Sequence, residues 1–395
     1  ISRILGTIHL PLISGCIFTG IIAGPYVSGF LSINMVDQFS LIDDLALSFI
    51  ALTAGGELRL LSLKKRSRAI ILNIILQTVI VFCLVSLFVA FAGSCFGLAG
   101  SLSFAQTIVL SILLGVVAVA RSPSSAIAII SECRAAGPFT DTVLGVTVVL
   151  DVLIIIFFTF ALAASKIILT GSGVINIHVL MALSLEMMAS FLIGTVLGKG
   201  IAFYIKRVGH DLPLFLLFIA FAVSKMSIWI GNFMDVHYSI SLHLEPLLIC
   251  MSAGFVVQNF SDSGSFFMES LDRIALPIYV LFFSLAGAAL NLESLLQCWP
   301  LALFIVVIRS LGIFSASYAA GKFSRDPPTH YKHAWMAYLT QAGVAIGLAQ
   351  LANRQFPEIG DYLMTIVLAV ITVNQVVGPI TFKIALGRVG EVGKR

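Results

Sequence analysis

The sequence predicts an all-α polytopic membrane protein with about 12 transmembrane helices. Of its 395 residues, 59% are hydrophobic and only 11% are charged, whereas a soluble domain carries about 25% charged residues. The apolar residues occur in runs of about 20, which is the length that spans a bilayer as a helix. No water-soluble fold could bury so much apolar surface, so the chain is predicted to lie within a lipid bilayer.

Twelve apolar segments can be assigned as spans one to twelve. They cover residues 4–24, 41–61, 69–92, 104–131, 139–164, 179–205, 212–231, 244–258, 274–290, 299–321, 334–352 and 362–386. Because twelve is an even number, both termini are predicted to lie on the same side of the membrane.

The distribution of lysine and arginine between the two sides of the membrane supports the count of twelve spans. Eighteen of the 23 lysines and arginines fall in loops or at helix ends on the side of the termini, and only Lys166 and Arg354 fall on the opposite side. The other three lie inside predicted spans. Loops rich in lysine and arginine stay in the cytoplasm, so both termini are predicted to be cytoplasmic.

Several classes of function have no support in the sequence. It has no GxGxxG after a strand and no Walker GxxxxGK[ST] motif, so a nucleotide-driven pump or enzyme is not indicated. The six cysteines show no CxxC or Cys/His spacing, so neither a disulfide framework nor a zinc site is expected. The net charge of +4 comes from short loops and indicates no nucleic-acid partner. We expect no cofactor, and we expect this chain to be the core of a longer protein.

Asp151 is the charged residue whose position is most informative. It lies near the middle of the apolar segment 143–164, and Thr147 lies one turn earlier on the same helix face. A charge at the bilayer centre costs roughly 2.5 to 3.5 kcal/mol on insertion scales, so its presence indicates a wet cavity or a partner. A carboxylate there can bind a cation or a proton, one in place of the other. A buried aspartate in a fixed ion pair is the alternative.

Span four is interrupted at mid-membrane depth. Pro123 removes a backbone donor and disfavours the α conformation at Ser122, while Ser124, Ser125 and Arg121 add polarity. Backbone groups freed in lipid must find partners. An unwound segment that lines a cavity solves this, and its carbonyls and hydroxyls become cation ligands. A proline kink with the serines bonded back to the helix is the alternative.

Span eleven is interrupted at a similar depth by Thr340, Gln341 and Gly343. Paired interruptions in the two halves of a chain are the best sequence indication of a transporter site. Small residues also serve helix packing, which is the alternative here.

Arg309 and Arg121 are the arginines that lie deep within the spans rather than at helix ends. Arg309 lies about ten residues into span ten, at a depth that matches Asp151. It is predicted to compensate the Asp151 charge, and a structural strap between helices is the alternative. Arg121 lies beside the first break, where it could screen a helix end or bond to freed carbonyls.

Four stretches, taken in order, resemble the monovalent cation:proton antiporter-2 family. They are LPLISGCIFTGIIAGP (10–25), DDLALSFIALTAGGELRL (43–60), VLGVTVVLDVLIIIFF (143–158) and LPIYVLFFSLAGAALNL (276–292). The resemblance implies one transmembrane exchanger domain over residues 1–395 with the inverted-repeat sodium/proton antiporter fold. Spans four and eleven would be its two crossing broken helices. The core repeats would cover about 69–164 and 299–386, the remaining helices would form the dimer or scaffold bundle, and the protein would be a homodimer.

The resemblance also assigns the site. The essential aspartate of the family corresponds to Asp151, and its basic residue on span ten corresponds to Arg309. The family usually has Asp, Asn or Gln just before the aspartate, where this chain has Leu150. Some relatives have Asp-Pro where this chain has Ser122-Pro123. A lone carboxylate favours the exchange of one proton for one cation.

The sequence therefore predicts a secondary antiporter that exchanges Na⁺ or K⁺ for H⁺ by alternating access. Asp151 would bind the metal ion and the proton in turn. Oxygen ligands, which hard cations prefer, would come from Thr147, Ser122, Ser124 and Ser125. A sodium-coupled symporter of an organic anion on a related fold, and a channel or non-transporting sensor, are the alternatives.

Overall fold

The computed structural model describes residues 12–92, 102–170, 177–238, 244–341 and 343–394. These residues form 15 α-helices and no strand. The helices are α1 (Leu12–Ala23), α2 (Ile33–Gln38), α3 (Ser40–Glu57), α4 (Leu60–Ala92), α5 (Phe104–Val119), α6 (Pro123–Glu132), α7 (Pro138–Thr170), α8 (Ile177–Arg207), α9 (Leu212–Tyr238), α10 (Pro246–Phe260), α11 (Gly264–Ala288), α12 (Leu292–Ser324), α13 (Pro328–Ala337), α14 (Gly343–Gln355) and α15 (Pro357–Val389).

Over the residues that the structure describes, each of the 12 predicted spans corresponds to one helix or to a pair of helices; residues 4–11 of span one lie outside them. Spans four and eleven are the pairs α5–α6 and α13–α14. Within the described residues, 8 helical segments are long and apolar enough to cross a membrane, and three shorter apolar helices accompany them. The all-α, polytopic fold class with about 12 spans is therefore confirmed.

One clear difference from the predicted boundaries lies where a span begins beside basic residues. Span three was predicted to begin at residue 69, but α4 begins at Leu60 and continues through Lys64, Lys65 and Arg66. Lysine and arginine are good helix formers, and their long side chains keep the charge in water while the backbone stays helical. The apolar run thus predicts which part of α4 lies in the membrane, and the helix extends beyond that part at its N-terminal end.

The chain divides into two compact units. The first contains the described residues of Gly15–Lys64 and Ile177–Ala289, and the second contains those of Lys65–Asn176 and Leu290–Arg395 together with the start of α1. In the first unit, α3 packs against α9, α10 and α11. Gly55 of α3 faces the backbone of α10, and Gly254 of α10 faces that of α3, so neither position has room for a Cβ.

The second unit contains both predicted repeat segments and shows the same pattern twice. A 33-residue helix, a broken helix and another 33-residue helix follow one another as α4, α5–α6 and α7, and again as α12, α13–α14 and α15. The repeat is imperfect, because α12 is kinked at Cys298, whose φ of −129° and ψ of 25° are not helical. Helix α14 packs against α5 and α15, and α7 packs against α5 and α6. The two broken helices therefore meet inside this unit, as the inverted-repeat fold requires.

Candidate ion-binding site

The first break separates α5, which ends at Val119, from α6, which begins at Pro123. The Ser122 hydroxyl caps α6 by accepting a hydrogen bond from the Ser125 N–H at 3.2 Å. Proline suits the first position of a helix, because its missing N–H would have no partner there. Pro123 therefore starts a helix rather than kinking one, and residues 120–122 between α5 and α6 are not helical. That this segment lines a cavity and binds a cation stays a prediction.

Three serine hydroxyls gather at the start of α6. The Oγ atom of Ser122 lies 2.9 Å from that of Ser125 and 3.1 Å from that of Ser124. Ser122 and Ser125 are buried, and Ser124 is half-buried. The N-terminus of a helix carries partial positive charge, which favours a carboxylate nearby. The predicted hydroxyl ligands are therefore brought together at a helix end that also stabilises an anion.

The second break lies between α13 and α14, where the buried residues Thr340 and Gln341 are not helical. The Ser122 N–H donates to the Thr340 carbonyl at 3.2 Å, and the Gln341 side-chain amide donates to the Val117 carbonyl at 3.0 Å. Gly343 is the first residue of α14. Two interruptions that are more than 200 residues apart in the sequence are thus bonded to each other directly.

Asn374 also takes part in the contact between the two broken helices, and the sequence interpretation missed it. Its amide Nδ2 donates to Gln341 Oε1 at 2.8 Å, and its side chain is buried in α15. Asn374 and Gln375 form a polar pair inside the apolar run of span twelve. Polar residues within a transmembrane segment indicate function by default, so this pair was an available signal.

The Arg309 side chain connects the two breaks. Its Nε donates to the Ala118 carbonyl at 2.7 Å, and its Nη1 donates to the Leu339 carbonyl at 2.9 Å. Its Nη2 lies 3.2 Å from the Ala120 carbonyl and 3.4 Å from that of Tyr338. These carbonyls belong to the C-terminal ends of α5 and α13, where helices leave acceptors unsatisfied. A cation is also favoured at a helix C-terminus.

These bonds correspond to the strap alternative for Arg309. These bonds do not test whether Arg309 also compensates the Asp151 charge, so that role stays a prediction. A fully buried guanidinium is costly unless its donors find acceptors. The four carbonyls meet that requirement without a carboxylate.

Arg121 takes one of the two roles that its position beside the break predicted, because it bonds to a freed carbonyl. Its guanidinium donates to the Tyr338 carbonyl and to Gln77 Oε1, and it lies 4.9 Å from the centre of the Tyr338 ring. Both arginines therefore reach the Tyr338 carbonyl. Gln77 of α4 is another buried member of the crossing that the sequence interpretation missed.

Asp151 lies on α7, the helix that packs against both halves of the first broken helix. It is half-buried, and its Cα lies about 20 Å along the helix axis from Pro138, since a helix rises about 1.5 Å per residue. Thr147 is buried, and its hydroxyl donates to the Val143 carbonyl at 2.8 Å. That bond uses the hydroxyl hydrogen and leaves oxygen lone pairs as potential ligands. Leu150 is buried at 1% exposure.

Among the residues that the structure describes, no group of three or more His, Cys, Asp and Glu side chains could hold a metal ion. The structure brings Ser122, Ser124 and Ser125 together. That Asp151 and Thr147 share a cation with these hydroxyls stays a prediction.

Comparison with known proteins decides the family. The chain matches the family described as sodium/hydrogen exchanger, transmembrane, over residues 1–387. The chain belongs to this exchanger family. No curated protein matches it.

The exchanger also resembles solved structures of the sodium proton antiporter MjNhaP1 from Methanocaldococcus jannaschii. The structure at pH 8 aligns with a TM-score of 0.65 and 15% identity, covering 98% of this chain and 91% of that chain. A second structure, from electron microscopy, aligns with a TM-score of 0.67 at the same identity and coverage. At this identity the likeness shows the fold.

Family membership confirms the function class that the sequence predicted. The exchanger is a secondary antiporter of a monovalent cation and protons, and it is an integral, multi-pass membrane protein. The alternative of a sodium-coupled symporter of an organic anion has no support in these findings.

Proposed function

We propose that the exchanger binds its cation and its proton in alternation at Asp151. The observation that carries this proposal is the position of Asp151, a half-buried carboxylate about 20 Å into α7, on the helix that packs against both halves of a broken helix. A carboxylate cannot hold a proton and a cation in the same place at once. This competition couples the two fluxes, and no ATP is needed.

The cation, Na⁺ or K⁺, is held by Asp151 together with neutral oxygens. Thr147 on the same helix and the hydroxyls of Ser122, Ser124 and Ser125 at the start of α6 are the proposed ligands. Their support is chemical, because hard cations prefer oxygen ligands. Carbonyl groups at such breaks bind cations in other transporters, but here those of Val117, Ala118 and Ala120 accept bonds from Gln341 and Arg309, so the proposed ligands are hydroxyls.

Arg309 and Arg121 fix the crossing and supply positive charge near it. The bonds of Arg309 to four carbonyls hold α5 and α13 together. We propose that the same fixed charge compensates Asp151 when the site is empty. A counter-charge of this kind lowers the cost of an ionised carboxylate away from water.

The exchange is proposed to be electroneutral and to proceed by alternating access in a homodimer. Leu150 supplies no second carboxylate beside Asp151, so one proton leaves for each cation bound. The excess of lysine and arginine on the side of the termini supports cytoplasmic termini.

The test is the Asp151→Asn variant, reconstituted in proteoliposomes with an internal pH dye. Addition of Na⁺ or K⁺ outside acidic vesicles should cause alkalinisation with the wild type and none with the variant. Glu269→Gln is the control, because it removes an exposed carboxylate in a different compact unit from Asp151 and should transport normally. Cation-dependent proton flux that persists in Asp151→Asn overturns the proposal.

A further inference from the structure

Helix α7, which carries Asp151, begins with residues that cannot cap it themselves. Gly137 has no side chain that could accept a hydrogen bond, and Pro138 has no N–H. The first N–H groups of a helix need acceptors, so those of Phe139 and Thr140 must be satisfied from elsewhere. Gly137 also has a φ of 152°, a conformation that favours glycine.

The carboxylate of Glu391 provides the missing cap. Its Oε1 accepts from the Phe139 N–H at 2.8 Å. Its Oε2 accepts from the Thr140 N–H at 2.8 Å and from the Thr140 hydroxyl at 2.7 Å. Glu391 is buried at 3% exposure, and a Cβ at Gly137 would overlap its carboxyl group. Charge-assisted bonds of this kind are about twice as strong as neutral ones.

Glu391 is itself held firmly at the end of α15. Gly390 adopts the left-handed conformation that ends the helix, and its N–H donates to the Gly387 carbonyl at 3.2 Å. The Glu391 N–H donates to the Leu386 carbonyl at 3.2 Å. These two bonds form a Schellman motif, which fixes the direction of the chain at Glu391.

Two more backbone bonds join this end of the chain to the linker between α6 and α7. The Ala136 N–H donates to the Glu391 carbonyl at 3.2 Å, and the Gly393 N–H donates to the Cys133 carbonyl at 3.0 Å. The linker is thus fastened to the end of α15 on both sides of Arg134, whose φ is 44°. Left-handed backbone at a residue other than glycine costs about 1 kcal/mol or more, so surrounding contacts must hold it.

We propose that Glu391 is a positioning residue for ion exchange. By capping α7 from the end of α15, it fixes the height and direction of the helix that carries Asp151 relative to the second repeat. Because a helix is stiff, a displacement at its start is passed along to Asp151. The ligands of an ion site must be held close to their productive geometry by the residues that support them, so a loosened cap weakens cation binding. This inference rests on the role proposed for Asp151.

The test measures the KM for the cation and the maximal rate separately, in proteoliposomes. Glu391→Ala removes all three bonds and should raise the cation KM about tenfold, which corresponds to about 1.4 kcal/mol. Glu391→Gln keeps one acceptor and turns an amide towards the N–H donors, so its effect should be smaller. Thr140→Val removes only the hydroxyl bond and should have the smallest effect. Glu269→Gln, in an exposed pair with Arg273, is the control with an unchanged KM.

A wild-type KM in both Glu391 variants overturns the inference, even where the unfolding temperature falls, because the cap is then structural only. If Glu391→Ala does not fold, Glu391→Gln and Thr140→Val still decide the question. The two proposals fail in different ways. Transport by Asp151→Asn overturns the role of Asp151, whereas an inactive Asp151→Asn with a normal KM in the Glu391 variants overturns only the positioning role.

Discussion

At the scale of single residues, the most demanding feature of the second unit is a pair of buried arginines. Arg309 is fully buried and Arg121 is 2% exposed, yet their guanidinium groups bond mainly to backbone carbonyls. A planar guanidinium offers five donors in a fixed arrangement. This suits Arg309, because the carbonyls of two helix ends surround it.

Arg309→Lys should therefore be nearly as damaging to stability as Arg309→Met. An ammonium has three donors on a point charge and cannot reach four carbonyls on two segments. Each buried carbonyl left without a partner costs about 1 to 3 kcal/mol. The measurement is the unfolding temperature of the purified protein in detergent. Lys322→Met, which changes an exposed cation in the last turn of the same helix, is the control.

The opposite outcome has a clear meaning. If Arg309→Lys unfolds at the wild-type temperature and transports normally while Arg309→Met is inactive, the charge of Arg309 matters and its bonds do not. Charge compensation of Asp151 would then be its main role.

At the scale of elements, the first broken helix is formed by capping rather than by kinking. Pro123 occupies the first position of α6, where a proline removes no hydrogen bond. The break leaves the Ser122 and Ser125 N–H groups without helical partners. The Ser122 N–H donates to the Thr340 carbonyl, and the Ser125 N–H donates to the Ser122 hydroxyl. The break is thus determined by its partners as much as by the proline.

Pro123→Ala is accordingly expected to keep the break and to change stability by less than about 1 kcal/mol. Ser122→Ala should cost about 0.5 to 2 kcal/mol, because it removes the N-cap. Both values follow from the shift in unfolding temperature in detergent. A large loss in Pro123→Ala, together with a neutral Ser122→Ala, would show that the proline holds the segment open.

The second broken helix is joined to its neighbours by two hydrogen bonds that run through side-chain amides. The Asn374 amide donates to Gln341, and the Gln341 amide donates to the Val117 carbonyl. Bonds within one network are not additive, since losing either member already leaves the other without its partner.

A double-mutant cycle tests these two bonds. Gln341→Leu and Asn374→Leu should each lower the unfolding temperature, and the double variant should lose clearly less than the two single losses combined. The expected coupling is about 0.5 to 3 kcal/mol. Additive losses would mean that the two side chains contribute independently.

At the scale of the whole molecule, the sequence predicted the spans and the breaks because both depend on local patterns. Apolar runs specify the helices, and the pairs Ser122-Pro123 and Thr340-Gln341 mark where two of these runs are interrupted. Both signals can be recognised without knowing the three-dimensional structure. The partners of those breaks are not local. The position of Arg309 within span ten does not reveal its bonding partners, which are carbonyls of α5 and α13. Glu391 could not be found, because its role depends on a contact across 252 positions of sequence.

Electroneutrality is a property of the whole molecule, because it depends on the net charge that crosses the membrane in one cycle. A charge that moves through the full membrane potential gains about 2.3 kcal/mol per 100 mV. In the proposed exchange Asp151 is the lone carboxylate, with Leu150 beside it, so the site would carry the same net charge with a proton as with a monovalent cation. The membrane potential would then neither drive nor slow the exchange.

We expect concentration jumps of Na⁺ or K⁺ on proteoliposomes adsorbed to a solid-supported membrane to give no transport current. The same vesicles should show proton flux with a pH dye, which establishes that the protein is active. Asp151→Asn, which should give neither signal, identifies current from other sources. A current that grows with the proton flux would mean that more than one charge is exchanged for each cation. A second titrating group would then have to act with Asp151, and Leu150 would no longer explain the stoichiometry.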